Sequence, residues 1–124
     1  MRKGFLFCLI LIGITNGLLA EDIVGFWKSL DDKTGKPQSI VAIYKYLHKF
    51  YGRLVVTYND NGTINDTIYA PKDRAPGVKG NPYYAGLDFI WNLKPEGNRY
   101  SSGKIMDPQK GRIYDSEMWT ENGN

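Results

Sequence analysis

Residues 87–119 read LDFIWNLKPEGNRYSSGKIMDPQKGRIYDSEMW. Three short apolar and aromatic runs are separated by Pro95-Glu96-Gly97-Asn98 and by Asp107-Pro108-Gln109-Lys110-Gly111. Proline fixes φ, glycine frees it, and Asn and Asp bond their own backbone, so these clusters are turn signals rather than merely polar stretches. The segment predicts a strand–turn–strand–turn–strand meander. In its first run, Leu87, Phe89, Trp91 and Leu93 alternate with Asp88, Ile90, Asn92 and Lys94, the pattern of a half-buried strand. A further hairpin signal, Glu121-Asn122-Gly123-Asn124, closes the sequence, and Asn-Gly suits a tight type I′ turn.

Upstream, the same reading continues. Ile23–Lys28 is a predicted strand, followed by the polar turn Asp31–Pro37. Ser39–Tyr46 has Val41, Ile43 and Lys45 on one face and Ile40, Ala42, Tyr44 and Tyr46 on the other. Its β-branched and aromatic content favours strand over helix. Leu47-His48-Lys49 is the predicted turn and Phe50–Tyr58 the return strand, with Gly52 at a bulge or beneath an aromatic neighbour. From Asn59 to Gly86, three prolines and four glycines break any long element. Ile64, Ile68 and Tyr69 suggest one short strand there. A long irregular stretch in a compact domain is commonly a binding loop, with Tyr83 and Tyr84 as its exposed aromatics. The remaining predicted strands are Leu87–Lys94, Arg99–Met106 and Arg112–Thr120. The fold class is therefore all-β, with consecutive strands paired antiparallel.

The first twenty residues have a different character. Arg2 and Lys3 precede an apolar run from Phe5 to Ile14, and Ala20 precedes Glu21-Asp22. That is the layout of a secretory leader; the apolar run is too short to span a bilayer. Cleavage is expected between Ala20 and Glu21, with Gly17 as the alternative site. The expected location is the periplasm or outside the cell, with residues 21–124 as one domain and no stable membrane insertion after cleavage. Cys8, the one cysteine, lies inside the apolar run and would leave with it. The remaining chain could form neither a disulfide nor a thiolate metal site.

Arg2 and Lys3 are two of the 16 basic residues, so the rest of the chain carries 14 against 13 acidic ones, or +1. The cations are interleaved with acids, and no basic stripe points to nucleic acid. Residues Lys49–Val56 partly mimic an RNA-recognition strand but lack its glycine and two of its aromatics. Asn59-Asp60-Asn61-Gly62 fails as a calcium loop, because Thr57 and Ile68 fall where carboxylates are required. Asn61-Gly62-Thr63 and Asn65-Asp66-Thr67 match glycosylation sequons and otherwise read as turn residues. His48, the single histidine, falls in a turn and reads as an exposed spacer. Asp88, Asp107, Asp115 and Glu117 offer no distinguished pair for glycoside hydrolysis. Asp107 reads as the initiator of its turn, and Asp88 and Asp115 as water-facing. No catalytic, metal or cofactor site is expected.

Gly25-x-Trp27 on the first strand resembles the opening strand of lipocalins, where the tryptophan plugs one end of the barrel. The stretches VGFWKS (24–29), IVAIYKY (40–46), KFYGRLV (49–55), GLDFIWNLKP (86–95) and SGKIMDPQKGRIYDSEMW (102–119) together resemble, in order and spacing, the exported bacterial family called domain of unknown function 2147. The resemblance implies a small, calycin-type antiparallel barrel of the bacterial envelope, and no established activity or functional residues. Members of that family continue for two more strands after the last hairpin turn. The resemblance therefore implies a barrel incomplete at its C-terminal side, with Arg112–Thr120 as an exposed edge and a gap beside Ile23–Lys28. Such a chain is expected to be unstable, dimeric or aggregating.

Two functional expectations follow. The first is a non-enzymatic module holding a small apolar or amphipathic ligand against Trp27, Tyr44, Trp91 and Tyr114. The second is an envelope module that binds protein or glycan through the long loop, with Tyr83 and Tyr84 as its exposed aromatics. A cavity of a few hundred cubic ångströms lined by the four rings would favour the first. A filled interior with an aromatic surface patch would favour the second.

Overall fold

The structure, a computed structural model, describes residues 10–13 and 23–120. Its elements are eight strands: β1 (Ile10–Gly13), β2 (Gly25–Leu30), β3 (Pro37–Tyr46), β4 (Lys49–Tyr58), β5 (Ile64–Thr67), β6 (Asp88–Glu96), β7 (Arg99–Met106) and β8 (Ile113–Trp119). All pairings are antiparallel, in the order β1-β2-β3-β4-β6-β7-β8. β4 takes two partners along one edge, β6 on its first half and β5 on its second. The sheet curls into a half-barrel, so that β8 comes to face β2 and β3 across the interior. The all-β reading and the six long strands of the sequence hold, with ends shifted by one or two residues. Four residues of the expected leader, Ile10–Gly13, lie as a strand on the edge of β2. The Ala20–Glu21 boundary and the turn at Glu121–Asn124 fall outside the described residues.

The core follows from the register. Ile43, Gly52, Ile90, Ile105 and Tyr114 are successive cross-strand partners from β3 to β8 on the inner face. Trp27, Val41 and Leu54 form the next row, and Phe50, Leu93 and Tyr100 close the barrel end beyond. Phe50 and Tyr100 meet edge to face, with ring centroids 5.0 Å apart. Gly52 does sit at a bulge: the β4–β6 register shifts on both sides of it. The neighbour above it is aliphatic rather than aromatic. A Cβ at Gly52 would lie 2.8 Å from Ile90 Cδ1, so the missing side chain is what lets Ile90 bury completely.

Strict alternation along β6 fails. Leu93 and Phe89 are buried as expected, but Ile90 is buried too, while Trp91 is only half-buried. Trp91 pairs with Lys104, which in turn pairs with Asp115 on the outer face. The cause is that Phe89 is an extra residue between the Gly52–Ile90 and Arg53–Asp88 pairs, which brings Ile90 inward, and a second irregularity at Asn92, whose φ is +62°, returns Leu93 to the interior. A left-handed residue in a strand re-aims the side chains that follow it.

The stretch from Asn59 to Gly86 is more ordered than its composition predicts. β5 occupies Ile64–Thr67, so Ile68 and Tyr69 lie beyond the strand and are exposed. The chain is then tied down by Ala75 N–H to Pro82 O (2.7 Å), Tyr84 N–H to Asp73 O (3.0 Å) and Gly86 N–H to Leu54 O (2.6 Å). Gly77 N–H donates to Pro108 O at 2.9 Å, fastening the loop to the β7–β8 turn.

The β3–β4 turn has two residues, because Tyr46 already pairs with Lys49. Leu47 and His48 have φ of +49° and +67°. Both central residues of a type I′ turn need positive φ, which is why Asn-Gly is preferred there. Leucine and histidine hold that geometry at a cost of roughly 1 kcal/mol or more each. Replacing the pair with Leu47→Asn and His48→Gly is expected to stabilise the fold by about 1–2 kcal/mol, read as a higher urea midpoint with an unchanged slope.

Candidate functional site

Among the described residues, a half-open cleft of about 110 Å³ opens at one end of the interior, lined by Ile23, Trp27, Ile43 and residues 117–120. Trp27 is buried and its indole N–H donates to Ile23 O at 2.8 Å, which fixes the ring across the barrel end. Tyr114 also packs on the inner face, against the core. Tyr44 and Trp91 lie on the outer face. The four aromatic residues therefore do not share one cavity, and only Trp27 lines the cleft. Drug-sized pockets run to several hundred cubic ångströms.

The outer face of β3, β4 and β6 carries the densest polar and aromatic constellation. Register places Tyr44 opposite Tyr51, and Arg53 opposite Asp88. The Tyr44 and Tyr51 rings stack, with centroids 5.5 Å apart and planes 21° from parallel. Tyr46 meets Tyr51 edge-on at 6.3 Å. Arg53 grips Asp88 with two parallel bonds, Nε to Oδ1 and Nη2 to Oδ2, each 3.0 Å. Its guanidinium carbon lies 5.3 Å from the Tyr44 ring centre. The Tyr44 hydroxyl donates to Asp88 Oδ1 at 2.9 Å, and the Tyr51 hydroxyl to Asn92 Oδ1 at 3.2 Å. Asp88, expected to face water, is thus engaged on both oxygens. Trp91 borders the group, its indole N–H bonded to the Asp88 carbonyl at 3.1 Å.

Partial burial, reinforced by the Asp88 carboxylate and opposed by Arg53, raises the Tyr44 phenol above its ordinary value. Arg53 is raised in turn, chiefly by its bonds to Asp88. A phenol whose pKa is higher folded than unfolded stabilises the fold fully below its unfolded value near 10 and loses that contribution as pH climbs through the folded value. Absorbance titration of the phenolates is therefore expected to show a late-titrating fraction above pH 10. Tyr44→Phe is expected to shrink that fraction and to flatten the alkaline fall in stability. Tyr84, raised chiefly by burial, belongs to the same late-titrating fraction.

A second polar cluster is internal. Asp66 on β5 is 2% exposed. Its carboxylate accepts the Thr57 hydroxyl and the backbone N–H groups of Lys72 and Asp73, at 3.2 and 3.3 Å. These bonds hold the loop after β5 against β4. Ser29 and Ser39 continue the row toward β2 on the inner face, both buried.

The loop aromatics differ from expectation. Tyr84 packs against the core, and Tyr83 is covered by the Arg74 guanidinium at 4.0 Å. Tyr69, at 91% exposure, is the outward ring. Asp107 initiates its turn as read, accepting the Gln109 N–H at 2.9 Å, and Asp31 does the same with Lys33 and Thr34. His48 is exposed at its turn. Among the described residues, no group of three or more His, Cys, Asp or Glu side chains is placed to hold a metal ion.

The sequence reading missed Arg53, Tyr51 and Asn92. Tyr51 and Arg53 were within reach: a two-residue turn at Leu47-His48 alone pairs Tyr44 with Tyr51 and Ala42 with Arg53. Asn92 and the role of Asp88 required the β4–β6 pairing, which no local pattern encodes.

No curated protein and no solved structure matches this chain. Residues 25–124, which contain both the curled sheet from β2 onward and the tyrosine face, match the family model described as "Uncharacterized protein conserved in bacteria (DUF2147)", and the chain belongs to that family.

Proposed function

We propose that this chain is a non-enzymatic recognition module of the bacterial cell envelope, which binds glycan on the outer face of β3, β4 and β6. The observation that carries the reading is the Tyr44–Tyr51 stack set beside the Arg53–Asp88 pair and Asn92. Sugars present apolar C–H faces and rims of paired hydroxyls. Aromatic rings meet the faces, and planar carboxylate, amide and guanidinium groups bond adjacent hydroxyls two at a time. Arg53 is already neutralised by Asp88, which favours an uncharged polyol over an anion. The leader-like N-terminal segment supports an exported setting, where such glycans are found.

The test is titration of the protein with soluble fragments of cell-wall glycan, followed through the fluorescence of Trp91 at the margin of the site. Tyr51→Ala is expected to weaken binding about tenfold or more, the scale of losing one buried aromatic contact. Lack of binding by the unaltered protein at millimolar fragment, or identical binding by Tyr51→Ala and Asp88→Asn, would sink the proposal.

A second reading rests on the cleft at Trp27. Its 110 Å³ suits a few methylenes or one ring rather than a whole lipid. Native mass spectrometry of protein from its own source, with a retained apolar molecule lost on Trp27→Ala, is the result this reading requires.

A further inference from the structure

The β3–β4 turn is costly in backbone and wasteful in exposure. Leu47 and His48 hold positive φ where Asn-Gly would fit better, and Leu47 is 72% and Tyr46 60% exposed. Strain of this kind, with large apolar side chains thrust into water, runs from the observed outlier to a use for it. The register gathers more of the same chemistry at this end of the barrel. Gly25 pairs with Ile43, which puts exposed Val24 beside the hairpin end. Arg99 pairs with Trp119, whose ring is half-exposed beneath the guanidinium at 4.5 Å. Lys49 closes the turn, Lys45 stands one residue before Tyr46 with its ammonium 5.7 Å from the Phe50 ring centre, and Lys94 stands on the adjacent strand end. Among the described residues at this end, Glu117 is paired with Arg99, which leaves the three lysines facing Glu96, whose carboxylate accepts the Ser101 hydroxyl.

We infer that this end of the barrel seats on an anionic lipid surface, with Tyr46 and Leu47 dipping into the interface and Lys45, Lys49 and Lys94 meeting the headgroups. Exposed leucine and aromatic side chains ringed by lysines are the composition of an interfacial anchor. Each lysine near such a surface adds roughly fivefold to the partition constant. The anchor borders the tyrosine face at Tyr46, whose ring meets Tyr51, while Tyr44, Arg53 and Asp88 stand further along the side of the barrel; the lipid contact uses none of those three. The inference therefore does not depend on the glycan reading.

The experiment uses the full chain carrying Cys8→Ser and one introduced cysteine labelled with an environment-sensitive dye. The label sits at Leu47→Cys, or at Lys110→Cys in the turn at the opposite end. Vesicles of phosphatidylglycerol and phosphatidylcholine in equal parts are expected to shift the emission of the probe at 47 to the blue and to leave the probe at 110 unchanged. Pure phosphatidylcholine vesicles and high salt are expected to abolish the shift. Lys45→Ala with Lys49→Ala is expected to weaken partitioning roughly 25-fold at unchanged thermal midpoint. Equal shifts at both positions would mean that the N-terminal apolar segment, not the hairpin, inserts, and would overturn the inference. So would no shift at 47, a salt-insensitive shift, or a shift produced by soluble glycan without lipid.

Discussion

Replacing Gly77 with alanine is expected to be strongly damaging for a change of a single methyl group. A Cβ at Gly77 would meet the backbone of the β7–β8 turn: the nitrogen of Gly111, the carbonyl carbon of Lys110 at 2.6 Å and that of Gln109 at 2.8 Å. Contacts with the end of a side chain can be relieved by a rotamer change. Three backbone atoms in one tight turn cannot move without breaking it. The Asp107 turn is itself closed by Gly111 N–H to Asp107 O at 2.7 Å and by Asp107 N–H to Arg112 O at 2.8 Å, so the strain would pass into β7 and β8. The Gly77 N–H bond to Pro108 O would be lost as well. Overpacking of this kind typically costs about 1–3 kcal/mol, and the lost bond adds about 1 more. In a domain this small, roughly 3 kcal/mol corresponds to a thermal midpoint lower by about 12–24 °C. Gly80→Ala in the same loop is a control: its Cβ meets nothing within 4 Å, and only its positive φ opposes the change. It is expected to cost about 1 kcal/mol. Equal losses at the two positions would mean that the Gly77–Gly111 crossing does not hold the loop.

Removing the Asp66 carboxylate is expected to have the next largest effect. The group is buried and accepts three donors from three directions, the Thr57 hydroxyl and two loop N–H groups. Asp66→Ala leaves all three without an acceptor in a place water does not reach, at about 1–3 kcal/mol for each donor that stays buried. Relaxation of the loop into solvent limits the total to an expected 2–4 kcal/mol. Asp66→Asn has the same shape and can keep its carbonyl oxygen on the two N–H groups while its NH2 donates to the Thr57 oxygen, so, losing only the charge, it is expected to lose about half as much. The local nature of the damage gives a second readout. Hydrogen exchange is expected to accelerate at Lys72 and Asp73 far more than in β7, because these bonds fasten the loop rather than the core.

These two sites define how the protein stays together without disulfides among its strands. The curled sheet supplies the apolar interior. The long stretch after β5 closes over one end, held by a buried acid at its start and a glycine crossing in its middle. The opposite end presents the strained hairpin. Loop closure at one end and apolar exposure at the other give the molecule a polarity along its barrel axis. The proposed lipid contact and the glycan face both depend on that polarity.

Much of this was determined by the sequence alone. Turn chemistry at Asp31–Pro37, Pro95–Asn98 and Asp107–Gly111 divides the chain into most of its long strands, because glycine, proline and aspartate act on the backbone within two or three residues. Alternation in β3 correctly assigns Val41 and Ile43 to one face, while the turn expected at Leu47-His48-Lys49 is in fact the two residues Leu47-His48, which sets Tyr44 against Tyr51. The resemblance of the strand motifs to the bacterial domain of unknown function 2147 holds over residues 25–124. Three things came only from the tertiary structure. Alternation in β6 breaks first at Phe89, an extra residue in the pairing of β6 with β4, and Ile90 therefore turns in while Trp91 turns outward. The stretch from Asn59 to Gly86 looked irregular because its order is carried by Asp66 and by Gly77 against Gly111, contacts between residues with no local periodicity. The Arg53–Asp88 pair joins residues 35 apart in sequence. A charge on one strand does not reveal which strand will lie beside it. Local chemistry decides where strands begin and end, and only the packing of one strand on another decides which side chains meet.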